Sequence, residues 1–211
     1  MWNRTENKIG LVLVRHGAVE GNTEHRYIGR TDVALSREGR RQLQREKGAY
    51  PSAQYLFSSP MRRCVETAEI LYPAQRIIQI PEWMEIDFGR FEGKNYQELQ
   101  SDKEYQAWID SGGTLPFPEG ESREGFTVRC GLGFDRLCSF LQEQKCLEKQ
   151  GCLSVAVVHG GTIMALLSSF CGGDYFSYQV KNGEGYLCTI ESREGKYRIT
   201  QAKVWKGREN T

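Results

Sequence analysis

"LVLVRHG", residues 11–17, and "VAVVHGG", residues 155–161, end alike. Each is an apolar run that stops at a histidine followed by glycine. Ile9 to Val14, broken only by Gly10, reads as a buried strand. Arg15 and His16 are costly to bury without partners, so this strand either reaches solvent or ends in a site. In an open α/β sheet, ligands sit outside the carboxyl ends of the strands. Both His16 and His159 are therefore expected on one rim. Gly17, Gly160 and Gly161 would let backbone N–H groups come close to a ligand there.

The segments between these two strands alternate in kind. A loop rich in Gly, Asn, Thr and Asp runs to Leu35. Ser36 caps a charged helix, "SREGRRQLQREKGAY", whose basic run reads as a solvated face. "QYLFSSP" reads as a strand and turn, with Pro60 in the first turn of the amphipathic helix "MRRCVETAEILY". "RIIQI" is a third strand, "EWMEIDFGRFEGK" is irregular, and residues 95–110 look helical. "SGGTLPFPEGES" is a loop, and residues 122–149 form a long helical segment weakened by Gly131 and Gly133. "YLCTIE" and "YRITQAKVW" are two late strands expected to lie antiparallel at a sheet edge or to form a hairpin. The alternation predicts a three-layer α/β/α sandwich with a mostly parallel sheet and an antiparallel edge strand. Residues 1–211 are expected to form one domain, with 85–125 an insertion that forms part of a lid.

Composition narrows the function classes. The chain has 211 residues, 26 % charged and 39 % hydrophobic, with a formal net charge of +1. That balance supplies no global field for nucleic acid or an acidic membrane. Its seven cysteines are scattered without a C-x-x-C pair, which argues against zinc ligation and for reduced core thiols in a cytoplasmic protein. The polar start before a short apolar stretch is not read as a signal peptide, and no apolar run is long enough to span a bilayer.

The rim residues suggest phosphate chemistry. "SSPMRRC" places Arg62 and Arg63 early in a helix that follows a strand, and about 100° of rotation separates them, so one should face the rim. Guanidinium forks match phosphate oxygens. No Walker-type loop, H-E-x-x-H or G-x-S-x-G motif is present, and carboxylates do not cluster as metal ligands. His16 among Arg15 and the helix arginine reads as a nucleophile that forms phosphohistidine. It must attack as neutral imidazole, with its other nitrogen donating to a carbonyl. A protonated His159 and the arginines would stabilise the equatorial oxygens. Glu85 could protonate the leaving oxygen if burial raises its pKa. Trp83, Phe88, Phe91 and Trp108 either line a pocket or pack in core and lid, and Phe117 anchors a loop.

"RHG" after a strand, "SSPMRRCVETA", "EIDFGRFEG" and "VVHGGT", in that order, resemble the histidine phosphatase superfamily, in the branch that contains cofactor-dependent phosphoglycerate mutases. The resemblance spans residues 9 to 170. It implies a phosphoglycerate mutase-like fold without a cofactor or metal. It makes His16 the phosphorylated nucleophile, Arg15 and Arg63 (rather than Arg62) phosphate ligands, His159 the second rim histidine and Glu85 the proton donor. "NTEHRYIGRTD" resembles the loop after RHG, which implies that Asn22 hydrogen-bonds phosphate and Gly29 approaches substrate through its backbone. Ala18 and Val19 depart from the family, where many members carry Glu and Thr or Ser. "RYIGRTD", "FEGKNYQEL" and "LPFPEGES" are most similar to bacterial α-ribazole phosphatase-like members, which act in cobalamin assembly. The expected function is a metal-independent phosphomonoesterase for a small phosphorylated metabolite such as α-ribazole 5′-phosphate. The alternatives are a phosphoglycerate mutase and a catalytically silent phosphate-binding module. The edge strand "YRITQAKVW" leaves homodimer formation open.

Overall fold

The computed structural model describes residues 8–149 and 151–206. Its centre is a six-stranded sheet in the order β3-β2-β4-β1-β5-β6. The strands are β1 (Lys8–Arg15), β2 (Tyr55–Ser58), β3 (Ile77–Gln79), β4 (Leu153–Val158), β5 (Gly185–Arg193) and β6 (Lys196–Trp205). β3, β2, β4 and β1 are mutually parallel, whereas β5 runs antiparallel to β1, and β6 to β5. The antiparallel edge is a hairpin of the two late strands, one of the two arrangements expected.

Side chains alternate across β1 and β4 and define two apolar layers. Ile9, Leu11, Leu13, Ala156 and Val158 join a large cluster with α5 (Arg123–Glu143) and α6 (Gly160–Cys171). Val12, Val14, Val155 and Val157 face the other way, against Cys64 and Ala68 of α2 (Arg62–Leu71). α1 (Arg37–Glu46) sends Leu43 into a third cluster with Val19, Leu35 and Leu71. Burial on both faces explains why β1 and β4 read as near-continuous apolar runs. The sheet between these helices is the three-layer sandwich that the alternation implied.

Several local expectations need correction. Residues 95–110 form two helices, α3 (Tyr96–Leu99) and α4 (Lys103–Asp110), because Asp102 accepts from the Glu104 and Tyr105 N–H groups and caps a new start. Pro60 precedes α2 instead of lying in its first turn, since Met61 is the N-cap. The segment at 122–149 ends its α-helix at Glu143, and Lys145 then turns left-handed with φ 55°. Ser36 and Ser122 cap α1 and α5, each accepting from the N–H three residues on at 3.0 Å.

The two glycines of α5 have different reasons. A Cβ at Gly133 would lie 2.4 Å from Nε1 of the fully buried Trp83, whereas one at Gly131 would meet open space. Gly133 lets α5 pack on the turn that leads to Glu85. Gly131→Ala should therefore stabilise the protein by about 0.5–1 kcal/mol through helix propensity. Gly133→Ala should destabilise it by about 1–3 kcal/mol through overpacking. Urea unfolding followed by circular dichroism checks both signs, and a stabilising Gly133→Ala would overturn the packing argument.

Candidate active site

β1 and β4 are paired in register, Arg15 opposite Val158, so each strand delivers its next residue to the same edge. His16 and His159 follow, with ring centroids 5.2 Å apart. Both are buried, His159 completely. They lie at or beside a cleft of about 1050 Å³ that Arg15, His16, Arg63, Glu85 and Gly160 help line. The structure thus brings together the five residues expected to carry the chemistry.

His16 Nδ1 lies 2.7 Å from the Gly17 carbonyl oxygen. A carbonyl only accepts, so Nδ1 carries the proton and Nε2 keeps its lone pair. Burial holds the His16 pKa well below its ordinary value, with the charges of Arg63 and Arg15 adding to the effect. The Asn182 side-chain amide donates to the His16 carbonyl at 2.9 Å and fixes the backbone from the other side. Asn182 was not legible in the sequence, because it reaches the site from a loop 166 residues away.

Arg63 faces inward and is completely buried, whereas Arg62 is exposed and pairs with Glu66 at 2.8 Å. The rotation between neighbouring helical positions separates them as expected. The Arg63 guanidinium donates to the carbonyls of Gly29 (2.8 Å) and Thr31 (3.0 Å) and through Nε to His159 Nδ1 (3.3 Å). Arg15 donates to the Val180 carbonyl at 2.7 Å, and its buried Nε has no hydrogen-bond partner among the described residues. Neither arginine has a described carboxylate within ion-pair distance, so both leave positive potential at the cleft floor.

His159 differs from expectation in its charge. Its Nδ1 accepts from Arg63, so Nε2 bears the proton and donates to Ser59 Oγ at 2.8 Å. Burial, then Arg63, His16 and Arg15, keep its pKa well below the ordinary value. The ring is therefore a neutral imidazole in the ligand-free protein, not the imidazolium expected. Ser59, in the "SSP" turn, is a further site residue that the sequence reading did not single out.

Glu85 is buried against the start of α6. Its carboxylate accepts from the Ile86 N–H at 3.0 Å and the Gly161 N–H at 3.3 Å. Burial outweighs these bonds and the arginines, and its pKa is raised. A Cβ at position 161 would fall 2.3 Å from the Glu85 carboxylate, so glycine there is a requirement of fit.

At the edge of the site, the expectation for Gly29 changes. Asn22 lines the cleft, and its side-chain oxygen accepts from the Val19 N–H at 3.0 Å, while its amide N–H groups are the donors an anion would use. Gly29 does not present its backbone to the cleft. Its N–H donates to Glu92 and its carbonyl accepts from Arg63. Its lack of a side chain is instead explained by Ile86, whose carbonyl would lie 2.0 Å from a Cβ. Trp83 and Phe91 are core residues, whereas Phe88, Trp108 and Phe117 reach the cleft wall.

Among the described residues, no group of three His, Cys, Asp or Glu side chains could hold a metal ion, and no helix is long and apolar enough to cross a membrane. All seven cysteines are free, and six are buried.

The model of the histidine phosphatase superfamily (branch 1) matches residues 11–204. The chain belongs to that superfamily. It is an enzyme of the histidine phosphatase type. PhoE of Bacillus subtilis (strain 168), called an uncharacterized phosphatase, is 32% identical over 199 residues, which covers 92% of this chain and 94% of that protein. A phosphoglycerate mutase from Thermus thermophilus is 30% identical with a TM-score of 0.63, covering 94% of this chain and 100% of that one. The α-ribazole phosphatase from Shigella flexneri shares the fold, with a TM-score of 0.74 at 23% identity, covering 95% of this chain and 97% of that one.

The depressed pKa values yield a direct expectation. Both site histidines should stay neutral as the ligand-free protein is taken from about pH 8 to about pH 6, a range that spans the ordinary histidine value of about 6.5. Carbon-13 NMR of the two rings should show no titration there, and His16 should report the Nδ1–H tautomer. A midpoint for His16 at or above about 6.5 would remove the argument for a neutral nucleophile.

Proposed function

We propose that the protein is a metal-independent phosphomonoesterase that works through phosphohistidine at His16. The observation that carries this reading is the free Nε2 of His16, fixed by the Nδ1 bond to Gly17 and set among Arg15, Arg63, His159 and Glu85. The His16 Nε2 lone pair attacks phosphorus while the ester P–O bond breaks. Glu85, whose pKa burial raises, gives its proton to the departing oxygen. Water then attacks the phosphohistidine, Glu85 takes its proton, and the P–N bond electrons return to His16. Arg15 and Arg63 balance the growing charge on the phosphoryl oxygens, with further help from Gly160 and Asn22 at the rim.

The substrate reading is a small phosphomonoester with an aromatic part. Tyr27, Phe88, Trp108, Phe117, Tyr175 and Phe176 line the cleft beyond the reacting end, where stacking and apolar burial favour such a group. α-Ribazole 5′-phosphate, a phosphorylated ribose that carries an aromatic base, fits this chemistry and is the first compound to test.

Phosphate release from α-ribazole 5′-phosphate should exceed release from 3-phosphoglycerate, persist in excess chelator and vanish in His16→Ala together with phosphoenzyme labelling. Isomerisation of 3-phosphoglycerate without release would point to a mutase. Binding of both esters without turnover would point to a silent module. Glu85→Gln should slow alkyl esters by about 10²–10⁴-fold and aryl esters with acidic leaving groups much less. Equal losses for both would take the acid role from Glu85.

A further inference from the structure

Glu85 sits on a segment with little regular structure. Only a short 3-10 turn, Pro81–Trp83, precedes it, and another, Gly89–Phe91, follows. A catalytic acid must be held to within a fraction of an ångström of its proton's destination. Arg129 of α5 meets that need. Its Nη1 donates to the carbonyls of Glu82 and Met84, each at 2.8 Å, and its Nη2 reaches the Glu85 carbonyl at 3.4 Å. One planar guanidinium thus bridges three carbonyls in the short run of chain that ends at the acid.

Arg129 is itself fixed. Glu121 accepts from Nε at 2.9 Å and from Nη2 at 2.7 Å, a two-pronged pair whose fork geometry lysine does not reproduce. The same Glu121 carboxylate accepts from the Asp87 N–H at 3.4 Å, and the Glu121 N–H donates to the Asp87 carbonyl at 2.9 Å. The guanidinium also lies 5.0 Å from the centre of the Phe126 ring, and a Cβ at Gly161 would come 3.1 Å from that ring. Backbone on both sides of Glu85 therefore meets one ion pair, and the Phe126 ring lies between that pair and the glycine that donates to the Glu85 carboxylate.

We infer that the Arg129–Glu121 pair is a positioning device for the Glu85 acid, setting how well the enzyme expels poor leaving groups without touching substrate. The inference rests on the reading of Glu85 as the proton donor. It makes Arg129 a positioning residue, not a catalytic one.

The test compares wild type, Arg129→Lys, Glu121→Gln, Glu85→Gln and the Arg129→Lys/Glu85→Gln double variant. Each is assayed on an alkyl phosphate and on p-nitrophenyl phosphate, whose leaving group needs little protonation. Thermal melts establish that each variant is folded. Arg129→Lys should lower kcat on the alkyl ester by about 10–10²-fold, with a smaller loss on the aryl ester and little change in either KM. Glu121→Gln should show the same pattern more weakly, and it carries the test if Arg129→Lys does not fold. In the Glu85→Gln background, Arg129→Lys should cost nothing further on the alkyl ester, because two residues acting through one proton transfer are not additive. Equal losses on both esters, or full additivity with Glu85→Gln, would reduce the pair to a structural ion pair and overturn the inference. A Glu85→Gln variant without leaving-group dependence would instead show that the acid assignment itself had failed.

Discussion

The parallel pairing of β1 with β4 is the constraint on which the site depends. The two strands are far apart in sequence, yet their register sets Arg15 against Val158 and so brings His16 beside His159. A slip of one residue would turn every apolar side chain of β1 to the opposite face, placing Ile9, Leu11 and Leu13 against α2 and Val12 and Val14 against α5 and α6. The two apolar layers differ in size and shape, so burial itself fixes the register. The catalytic rim is thus a by-product of core packing at the ends of two strands. The polar residues at those ends are tolerated because the chain leaves the sheet there.

That origin explains what was legible in the sequence. Strand, histidine and glycine recur within short windows, and a period-2 or near-continuous apolar run is a local signal. Adjacent helical positions diverge by a fixed angle, so one of Arg62 and Arg63 was readable as facing the rim, and the family resemblance pointed to Arg63. The residues that hold the site were not readable. Asn182, Ser59, Arg129 and Glu121 act through backbone carbonyls, N–H groups or a ring nitrogen supplied by distant segments. Ser59 lies inside the quoted "SSP" motif, but nothing in the neighbourhoods of Asn182, Arg129 and Glu121 distinguishes them from surface polar residues. Gly29 shows the converse error. Its place in a family-like loop suggested contact with substrate, whereas the steric demand comes from Ile86 across the chain.

The segment from β3 to α5 is where pattern reading loses most. It packs around an aromatic cluster rather than a periodic apolar face. Tyr105 stacks near Trp108 with ring planes 21° apart, and Phe91 meets Tyr105 and Phe117 edge-on. Such contacts depend on ring orientation, which spacing along the chain does not encode. Caps are the exception, because Asn95 with Glu98 and Asp102 are local devices. They place the helix starts of α3 and α4 even where the packing between those helices is not deducible.

One physical cause, removal from water, sets the opposite protonation needs of the two partners in the chemistry. Desolvation favours the neutral form of any titratable group. For His16 that favours loss of a proton and a free lone pair on Nε2, while for Glu85 it favours retention of one. Arg15 and Arg63 act on both groups in the same electrostatic direction. They push His16 further down, which helps the nucleophile, and they pull Glu85 down, which opposes the acid. The site works only if burial outweighs the cations at Glu85 while the cations remain close enough to meet phosphate. Gly161 reconciles these demands. Its missing side chain lets the carboxylate withdraw into the start of α6, where an N–H holds it without a full counter-charge, while the guanidiniums stay on the cleft floor. Environments that drive a base and an acid to neutrality at one pH are the arrangement that a double proton-dependent transfer requires.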